Sequence, residues 1–424
     1  MHRLLGSVAP PILRSSARPE LLRSAQASNL CNLGRRPRHD RGLAMQTISE
    51  DRLQEFLQAE VKFFARQETT SISISEILQK SEPENAADMC HAELPIRFAQ
   101  RILQIEDIPT WKSCPELVEV HKLYSHTFRD LRLQDLNFNN MDPFTEMIQT
   151  LKERMKGVIP NLAMGMRRLK MEEGWTEAQI TEWLDTFLLS RIGTEMLTSQ
   201  YIACTTANIK TKKNRKGIVD QVCDPASICE QAAKQTKKVA RQHFKNIDRE
   251  PLIIVEHMHS DSRVKFPYVP QYLFYIMVEL LKNSARATVD TALKEGGRLE
   301  DRPIVISVGA DNRQIAIRVH DKAGGIPFNV ADNVWSYMYS TATKGVDTED
   351  SDFSSQGTPL AGYGVGLPLS RLYARYLGGS LHLMSMPGVG TSAYLYLKRL
   401  EEDAKEQLPT SVGSLSDPSS SLLG

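Results

Sequence analysis

The chain contains no apolar run of the roughly 18 residues that a bilayer-spanning helix needs. It has no Cys-x-x-Cys pair, and its cysteines are too few for a disulfide framework: Cys31, Cys90, Cys114, Cys204, Cys223 and Cys229. The closest two, Cys223 and Cys229, have no histidine at zinc-site spacing. There is no secretory h-region. Charge of one sign is also lacking: Lys+Arg is 52 and Asp+Glu is 51. These absences argue against a membrane helix, a disulfide scaffold, a structural metal site, and a general electrostatic attraction to nucleic acid or membrane. What remains is the composition of a soluble, core-forming chain in a reducing compartment. At 424 residues it is long enough for two or three domains.

The charge balance hides an asymmetry. Residues 1–45 hold eight arginines, no lysine and only two acids, Glu20 and Asp40. The remainder carries 44 basic against 49 acidic side chains. An Arg-rich, Ser-containing, acid-poor start is the composition of a mitochondrial transit segment, here assigned to residues 1–47. Pro10, Pro11 and Pro19 argue against a long helix in it.

Residues 48–208 read as helical. Leu53, Phe56, Leu57, Val61 and Phe64 recur at spacings of three and four behind Ser49, a capping-type residue. Similar patterns predict helices over Leu94–Leu103, Pro115–Leu133, Met141–Met171 and Trp175–Cys204. Strand signals are almost absent, so the expectation is a four-helix bundle. Residues 209–235 read as a linker and connecting helix. Ile209–Gly217 carries five basic residues, but no aromatics flank them, and a solvated loop is the simpler reading. A helix is expected from Asp224-Pro225 to about His243.

Residues 236–400 are mixed. Strands are expected at Pro251–Val255, Ile304–Val308, Ile315–Val319, Leu381–Ser385 and Ala393–Leu397, and helices at Pro270–Ala292 and Leu367–Tyr376. That is an α/β sandwich, with helices on one face of a mainly antiparallel sheet. Residues 401–424 read as a disordered tail.

Four segments carry chemistry. On the helix around Glu279, residues Glu279, Asn283, Arg286 and Asp290 share a polar face, while Met277, Leu280, Leu281, Ser284 and Thr288 lie opposite. Asp321-Lys322-Ala323-Gly324-Gly325 follows a strand, where glycine lets a ligand approach the backbone and the carboxylate can accept from an amino group. Gly362-Tyr363-Gly364-Val365-Gly366-Leu367 runs straight into a helix, an arrangement suited to phosphates. Its spacing is neither the dinucleotide fingerprint nor a Walker loop. The polar stretch Thr343–Gly357 before it reads as a lid. Finally, Gly388-Val389-Gly390-Thr391 is a hairpin turn that can also offer a hydroxyl to a phosphate. Each signal is ordinary alone, but their order is not.

That order resembles the N box and the three glycine boxes of the ATPase superfamily shared by gyrase, mismatch-repair proteins and histidine kinases. Within it, Glu279-Leu-Leu-Lys-Asn-Ser-Ala-Arg-Ala-Thr-Val-Asp290, Tyr337-Met-Tyr-Ser-Thr-Ala342 and Leu360–Ala374 resemble the mitochondrial pyruvate dehydrogenase kinase and branched-chain 2-oxoacid dehydrogenase kinase family. So do His91–Arg97 and Leu189–Gly193 in the helical half. The resemblance runs over about residues 50–400. It implies a helical-bundle regulatory domain followed by a histidine-kinase-like ATP domain, and a serine kinase of the mitochondrial matrix that uses ATP and Mg²⁺. The implied substrate is the decarboxylase α subunit of the pyruvate dehydrogenase complex, or its branched-chain counterpart. Docking on a lipoyl domain and a homodimer are also implied. A non-catalytic lipoyl-domain adaptor is the rival from another class.

Carried onto this chain, the resemblance makes Glu279 the catalytic acceptor of the serine proton and Asn283 the Mg²⁺ ligand. Asp321 would bind the adenine amino group. Arg286, Gly325, Ser340, Thr341, Gly362, Tyr363, Gly364, Val365, Gly366, Leu367 and Thr391 would line the nucleotide. The chain departs from the family in three places. Ala323 stands where glycine is usual, Met155 stands where the animal pyruvate dehydrogenase kinases have a histidine, and the tail lacks an Asp-Trp motif. His91-Ala-Glu-Leu-Pro has the look of a phospho-accepting histidine box, but its continuation is wrong and His91 is read as structural. His257 and His259 have no partner motif.

Overall fold

The computed structural model of the protein describes residues 49–206, 214–244, 250–258, 264–337, 339 and 364–409. From Glu50 onward they belong to one compact unit. The helices are α1 (Glu50–Ala65), α2 (Ile74–Gln79), α3 (Pro83–Glu106), α4 (Pro115–Leu133), α5 (Asp142–Arg154), α6 (Val158–Glu172) and α7 (Glu177–Thr205), then α8 (Pro225–His243), α9 (Pro270–Glu295), α10 (Phe328–Ala331) and α11 (Gly366–Tyr376).

The first half is the expected bundle, in which α3 packs on α1, α4 and α7, α4 on α6, and α5 on α7. Aromatic rings interlock at its centre: Tyr124 lies 5.0 Å from Phe98 and 5.2 Å from Phe187. α7 starts where Thr176 caps it, its hydroxyl accepting from the Gln179 amide while the Gln179 side chain accepts from the Thr176 amide. Three boundaries differ from the periodicity. α3 begins at Pro83, eleven residues before Leu94, because Ala86, Ala87, Met89 and Cys90 are small or slender core residues that show little periodicity. It also runs through Pro95, a residue that usually ends a helix. The helix expected over Met141–Met171 is two helices, broken by a 3-10 turn at Met155–Gly157. The short α2 escapes any periodicity test, yet Ser73 and Glu76 give it a full capping box.

The second half is built on a five-stranded sheet in the order β3–β5–β6–β8–β7. The strands are β3 (Ile253–His257), β5 (Ile304–Ala310), β6 (Gln314–Asp321), β7 (Ser380–Met386) and β8 (Gly390–Lys398). Only the β3–β5 pair is parallel. Alternate residues Ile304, Ile306, Val308, Ile315, Ile317, Val319, Leu395 and Leu397 are buried. That is the signature of a sheet packed on one face. α8, α9 and α11 pack against the sheet.

Two of the expected domain limits change. The segment taken as a linker at 209–235 contains β1 (Arg215–Lys216) and β2 (Val219–Cys223), which form a second, three-stranded sheet with β4 (Phe266–Tyr268). The rest of the predicted helix there is α8, capped by Asp224, whose carboxylate accepts from the amides of Ala226 and Ser227. α8 packs along α9, so it belongs to the second half. The tail is also not disordered from 401: residues 401–409 return to the bundle. The Ile74 amide donates to the Ala404 carbonyl and the Glu406 amide to the Ile72 carbonyl. Glu406 is buried, and Arg97 donates to both of its carboxylate oxygens at 2.9 and 2.8 Å. The tail's composition conceals this because the buried charge finds its partner in the bundle. Residues 1–48 and 410–424 lie outside the described residues.

Candidate nucleotide site

α9 sets one wall of the site. Its Met277, Leu280, Leu281, Ser284 and Thr288 are buried, as the helical wheel requires. On the other face Asn283 is exposed and Arg286 pairs with Asp290 at 3.7 Å. Glu279 is buried rather than solvated, at 8% exposure. Lys282, also buried, donates from Nζ to Glu279 Oε1 at 2.8 Å. Removing either partner of such a pair would leave the other charge buried and alone. One turn earlier, Tyr275 has its phenol pushed well above its ordinary value, by burial first and by the Glu279 charge second. It therefore stays neutral beside the carboxylate.

The second oxygen of Glu279 faces the start of α11. A Cβ at Gly366 would lie 2.3 Å from Glu279 Oε2, so any side chain there would displace the carboxylate. Among the described residues no side chain caps α11. The amides of Gly366 and Leu367, which precede Pro368, have no partner among the described residues and can meet an anion within reach of Glu279, with the helix dipole favouring negative charge. Gly364 has φ +73°, the left-handed turn that swings the chain into α11.

Asp321 closes the other end. It is 4% exposed and lies at the end of β6, opposite Thr391 on β8. Ser284 Oγ donates to Asp321 Oδ2 at 2.8 Å. The amides of Ala323 and Thr391 donate to Oδ1 at 3.2 and 3.3 Å. A carboxylate has about four lone-pair positions. Three are in use among the described residues, which leaves room for an amino group to donate to the same carboxylate. A Cβ at Gly390 would meet the Asp321 carbonyl at 2.1 Å and one at Gly325 the Met386 carbonyl at 2.2 Å, so both glycines are needed for this close packing. Gly324, by contrast, has nothing within 4 Å of its Cβ position and borders open space.

The arrangement therefore unites Glu279, Asn283, Arg286, Asp321, Gly325, Gly364, Val365, Gly366, Leu367 and Thr391 around α9 and its neighbours. Ser340, Thr341, Gly362, Tyr363 and the expected lid lie outside the described residues. Thr391 is not placed to serve a phosphate. Its amide is held by Asp321 and its hydroxyl shares a hydrogen bond with Ser385, 2.9 Å away, which puts it at the Asp321 end. Lys282 and Ser284, which hold Glu279 and Asp321 respectively, were not singled out by the motifs, although both lie between Glu279 and Asp290. His91, on α3, lies 6.4 Å from the ring of Phe144 on α5, and burial pushes its pKa down. The described cysteines Cys90, Cys114, Cys204, Cys223 and Cys229 are all free and buried. No cluster of three metal-ligating side chains occurs among the described residues.

An uncapped helix start facing a carboxylate on a long helix, with a second, buried carboxylate at a strand end beneath it, defines an ATP-binding domain of the histidine-kinase and gyrase class. Residues 268–401 match the family model described as histidine kinase-, DNA gyrase B-, and HSP90-like ATPase. Residues 64–220, in the helical half, match the model of the mitochondrial branched-chain alpha-ketoacid dehydrogenase kinase. The chain is similar to the mitochondrial [pyruvate dehydrogenase (acetyl-transferring)] kinase of Arabidopsis thaliana, with 36% identity covering 76% of this chain and 87% of that one. It is also similar to isozyme 4 of that kinase from Rhinolophus ferrumequinum, with 30% identity covering 82% and 86%, and to the Drosophila melanogaster kinase, with 31% covering 75% and 78%. The chain belongs to the mitochondrial pyruvate dehydrogenase and branched-chain 2-oxoacid dehydrogenase kinase family.

Proposed function

We propose that the protein is an ATP-dependent serine kinase of the mitochondrial matrix that phosphorylates and inactivates the decarboxylase α subunit of the pyruvate dehydrogenase complex. The observation that carries this reading is the meeting of Glu279 with the uncapped start of α11. It brings a base and an anion-binding helix terminus to one point. The names of the relatives support the substrate.

In this mechanism the adenine amino group donates to the Asp321 carboxylate. The phosphates lie over the amides of α11, and the γ-phosphate end comes next to Glu279. Asn283 offers a neutral amide oxygen one turn after Glu279. That oxygen would hold Mg²⁺, a hard cation suited to an oxygen ligand, and a bound ion would supply charge neutralisation at the phosphates. Glu279 accepts the proton of the substrate serine, whose oxygen forms the new bond to the γ-phosphorus. Lys282 keeps the Glu279 carboxylate oriented while it waits.

Residues 1–47 act as the transit segment, and the bundle carries the lipoyl-domain contact. Exposed Met384 and Met386, neighbours on the edge strand β7, support a homodimer formed through this half. The deciding test is transfer from labelled ATP, run side by side on purified pyruvate and branched-chain complexes. Label in the pyruvate α subunit, with loss of decarboxylase activity, is the expected result. Label only in the branched-chain complex overturns the substrate. Label in neither favours the adaptor. A fusion of residues 1–48 to a reporter should reach mitochondria.

A further inference from the structure

Asp185 lies on α7, the last helix of the helical half, yet each of its described partners belongs to the ATP-binding half. Tyr337 Oη donates to Asp185 Oδ1 at 2.7 Å. The other oxygen, Oδ2, lies 3.6 Å from Arg371 Nη2 and 3.7 Å from Arg375 Nη1. One carboxylate thus uses both oxygens to hold two separate pieces of the second half. Arg371 is itself stacked 4.8 Å over the ring of Trp335, two residues before Tyr337, so the pieces are also joined to each other. Tyr337 is 4% exposed and Asp185 retains 21% of its side-chain surface, while Arg375 is half exposed, so the Tyr337 side of the joint is the desolvated one.

Its location gives it consequences. Tyr337 and Gly364 stand on either side, in sequence, of residues assigned to the nucleotide. Arg371 lies five residues after Gly366, about 7 Å along the helix axis. An α-helix of this length moves as a rigid rod, so whatever sets Arg371 also sets Gly366 and the amides of the first turn. Gly366 stands close to Glu279: a Cβ there would lie 2.3 Å from Glu279 Oε2. An ångström of drift in α11 would part the helix terminus from the base or drive the two together, and errors of that size are costly where groups must be pre-positioned.

We propose that Asp185 is a positioning residue for nucleotide binding. From the bundle it holds Tyr337 and α11 in the register that presents Gly366 to Glu279 and, on the ATP reading above, to the phosphates. The same carboxylate is then the joint by which events in the helical half reach the ATP site. Asp185 touches neither nucleotide nor substrate. Its effect falls on ATP affinity rather than on the transfer step.

The test uses the full chain and four variants: Asp185→Ala, Asp185→Asn, Tyr337→Phe and the Asp185→Ala/Tyr337→Phe pair. Mg-ATP affinity is measured by calorimetry, KM and kcat by transfer to the complex, and hydrogen exchange over residues 366–376. Asp185→Ala should weaken ATP binding about tenfold and raise KM alike, with kcat changed less than threefold. Asp185→Asn keeps an acceptor for Tyr337 and should fall between it and the unmutated chain. The pair should be no worse than Asp185→Ala alone, the non-additivity expected of a shared contact. Exchange over 366–376 should quicken. Thr198→Val, at a buried α7 position bonded only within its own helix, controls for general loss of stability. ATP affinity within twofold of the unmutated chain in Asp185→Ala would overturn the proposal. So would an equal loss in Thr198→Val at the same melting temperature. An unmutated chain that binds no ATP sinks the kinase reading instead. The exchange rates then decide the joint alone, and unchanged rates in Asp185→Ala refute it.

Discussion

Glu279 is pulled on from two sides, by the Lys282 ammonium at one oxygen and by the open amides of α11 near the other. Both leave it pointing at the place where a phosphate would lie. Glu279→Gln keeps the shape and an acceptor for Lys282 but cannot take a proton. It should bind ATP normally and lose at least about a hundredfold in transfer rate. A single-turnover assay beside a calorimetric titration separates the two. Ala323 tests the opposite end. Its amide donates to Asp321 and its carbonyl accepts from Thr291 Oγ1 at 3.0 Å, while the left-handed dihedrals fall on Gly324 at φ +81° and Gly325 at +72°. The departure from glycine is therefore absorbed by its neighbours. Ala323→Gly should change the ATP dissociation constant by less than about tenfold. A larger gain, from an unmutated chain that binds no ATP, would point to a degraded site. Glu279, Asn283 and Asp321 were legible in the sequence because each sits in a short motif whose spacing is local. The tie from Lys282 to Glu279 is local too, yet a lysine in a motif carries no sign of being buried. Asp185 was not legible at all. Its partners lie 152 residues or more downstream, and only the tertiary fold brings them together.

At the scale of elements, periodicity and capping found most helices and every strand of the five-stranded sheet, and Pro115–Leu133 and the helix from Asp224-Pro225 came out with their observed limits. The missed strands β1, β2 and β4 are two, five and three residues long. β1 and β4 are too short for alternation to show, β2 (Val-Asp-Gln-Val-Cys) does not alternate, and β4 pairs with β2 across the whole of α8. The packing of α4 on α6 gives a test in acid. The Arg168 guanidinium, donating to both oxygens of Glu116 at 3.1 and 3.0 Å, holds that carboxyl down to about 2. A depressed folded-state pKa contributes stability that is whole above the ordinary carboxylate value of 4.5 and is lost as pH falls toward 2. Arg168 is well exposed, which screens the pair and keeps the effect small. Glu116→Gln should flatten the fall in urea midpoint between those two pH values while leaving the midpoint at pH 8 slightly lower. An unchanged acid slope would remove the pair from that role.

Across the whole molecule, the deepest tie is between the bundle and the end of the chain. Arg97 and Glu406 have no exposed side-chain surface, and Tyr376, the last residue of α11, also donates to Glu406. Burial works against the Arg97 charge, but the charge and hydrogen bonds of Glu406 outweigh it and hold the guanidinium above its usual range. A Cβ at Gly193 would lie 2.4 Å from Arg97 Nη1, so α7 leaves room for the pair with a glycine. Glu406→Ala should cost about 3–5 kcal/mol by equilibrium denaturation, since a buried cation loses its main partner. Replacing Arg97 by Met and Glu406 by Leu together should cost far less. The order of synthesis gives this pairing a timetable. Arg97 emerges from the ribosome 309 residues before its counter-ion. At ~5–20 residues per second that is a wait of about 15–60 s. For that interval α3 carries a cation that its own core cannot neutralise beyond the weaker contact with Glu93 at 3.4 Å. The bundle, though first made, is thus not the first part able to finish. Its completion waits on nearly the last described residues of the chain, and a transcript cut short before Glu406 yields a product whose earliest-made domain is the one left incomplete.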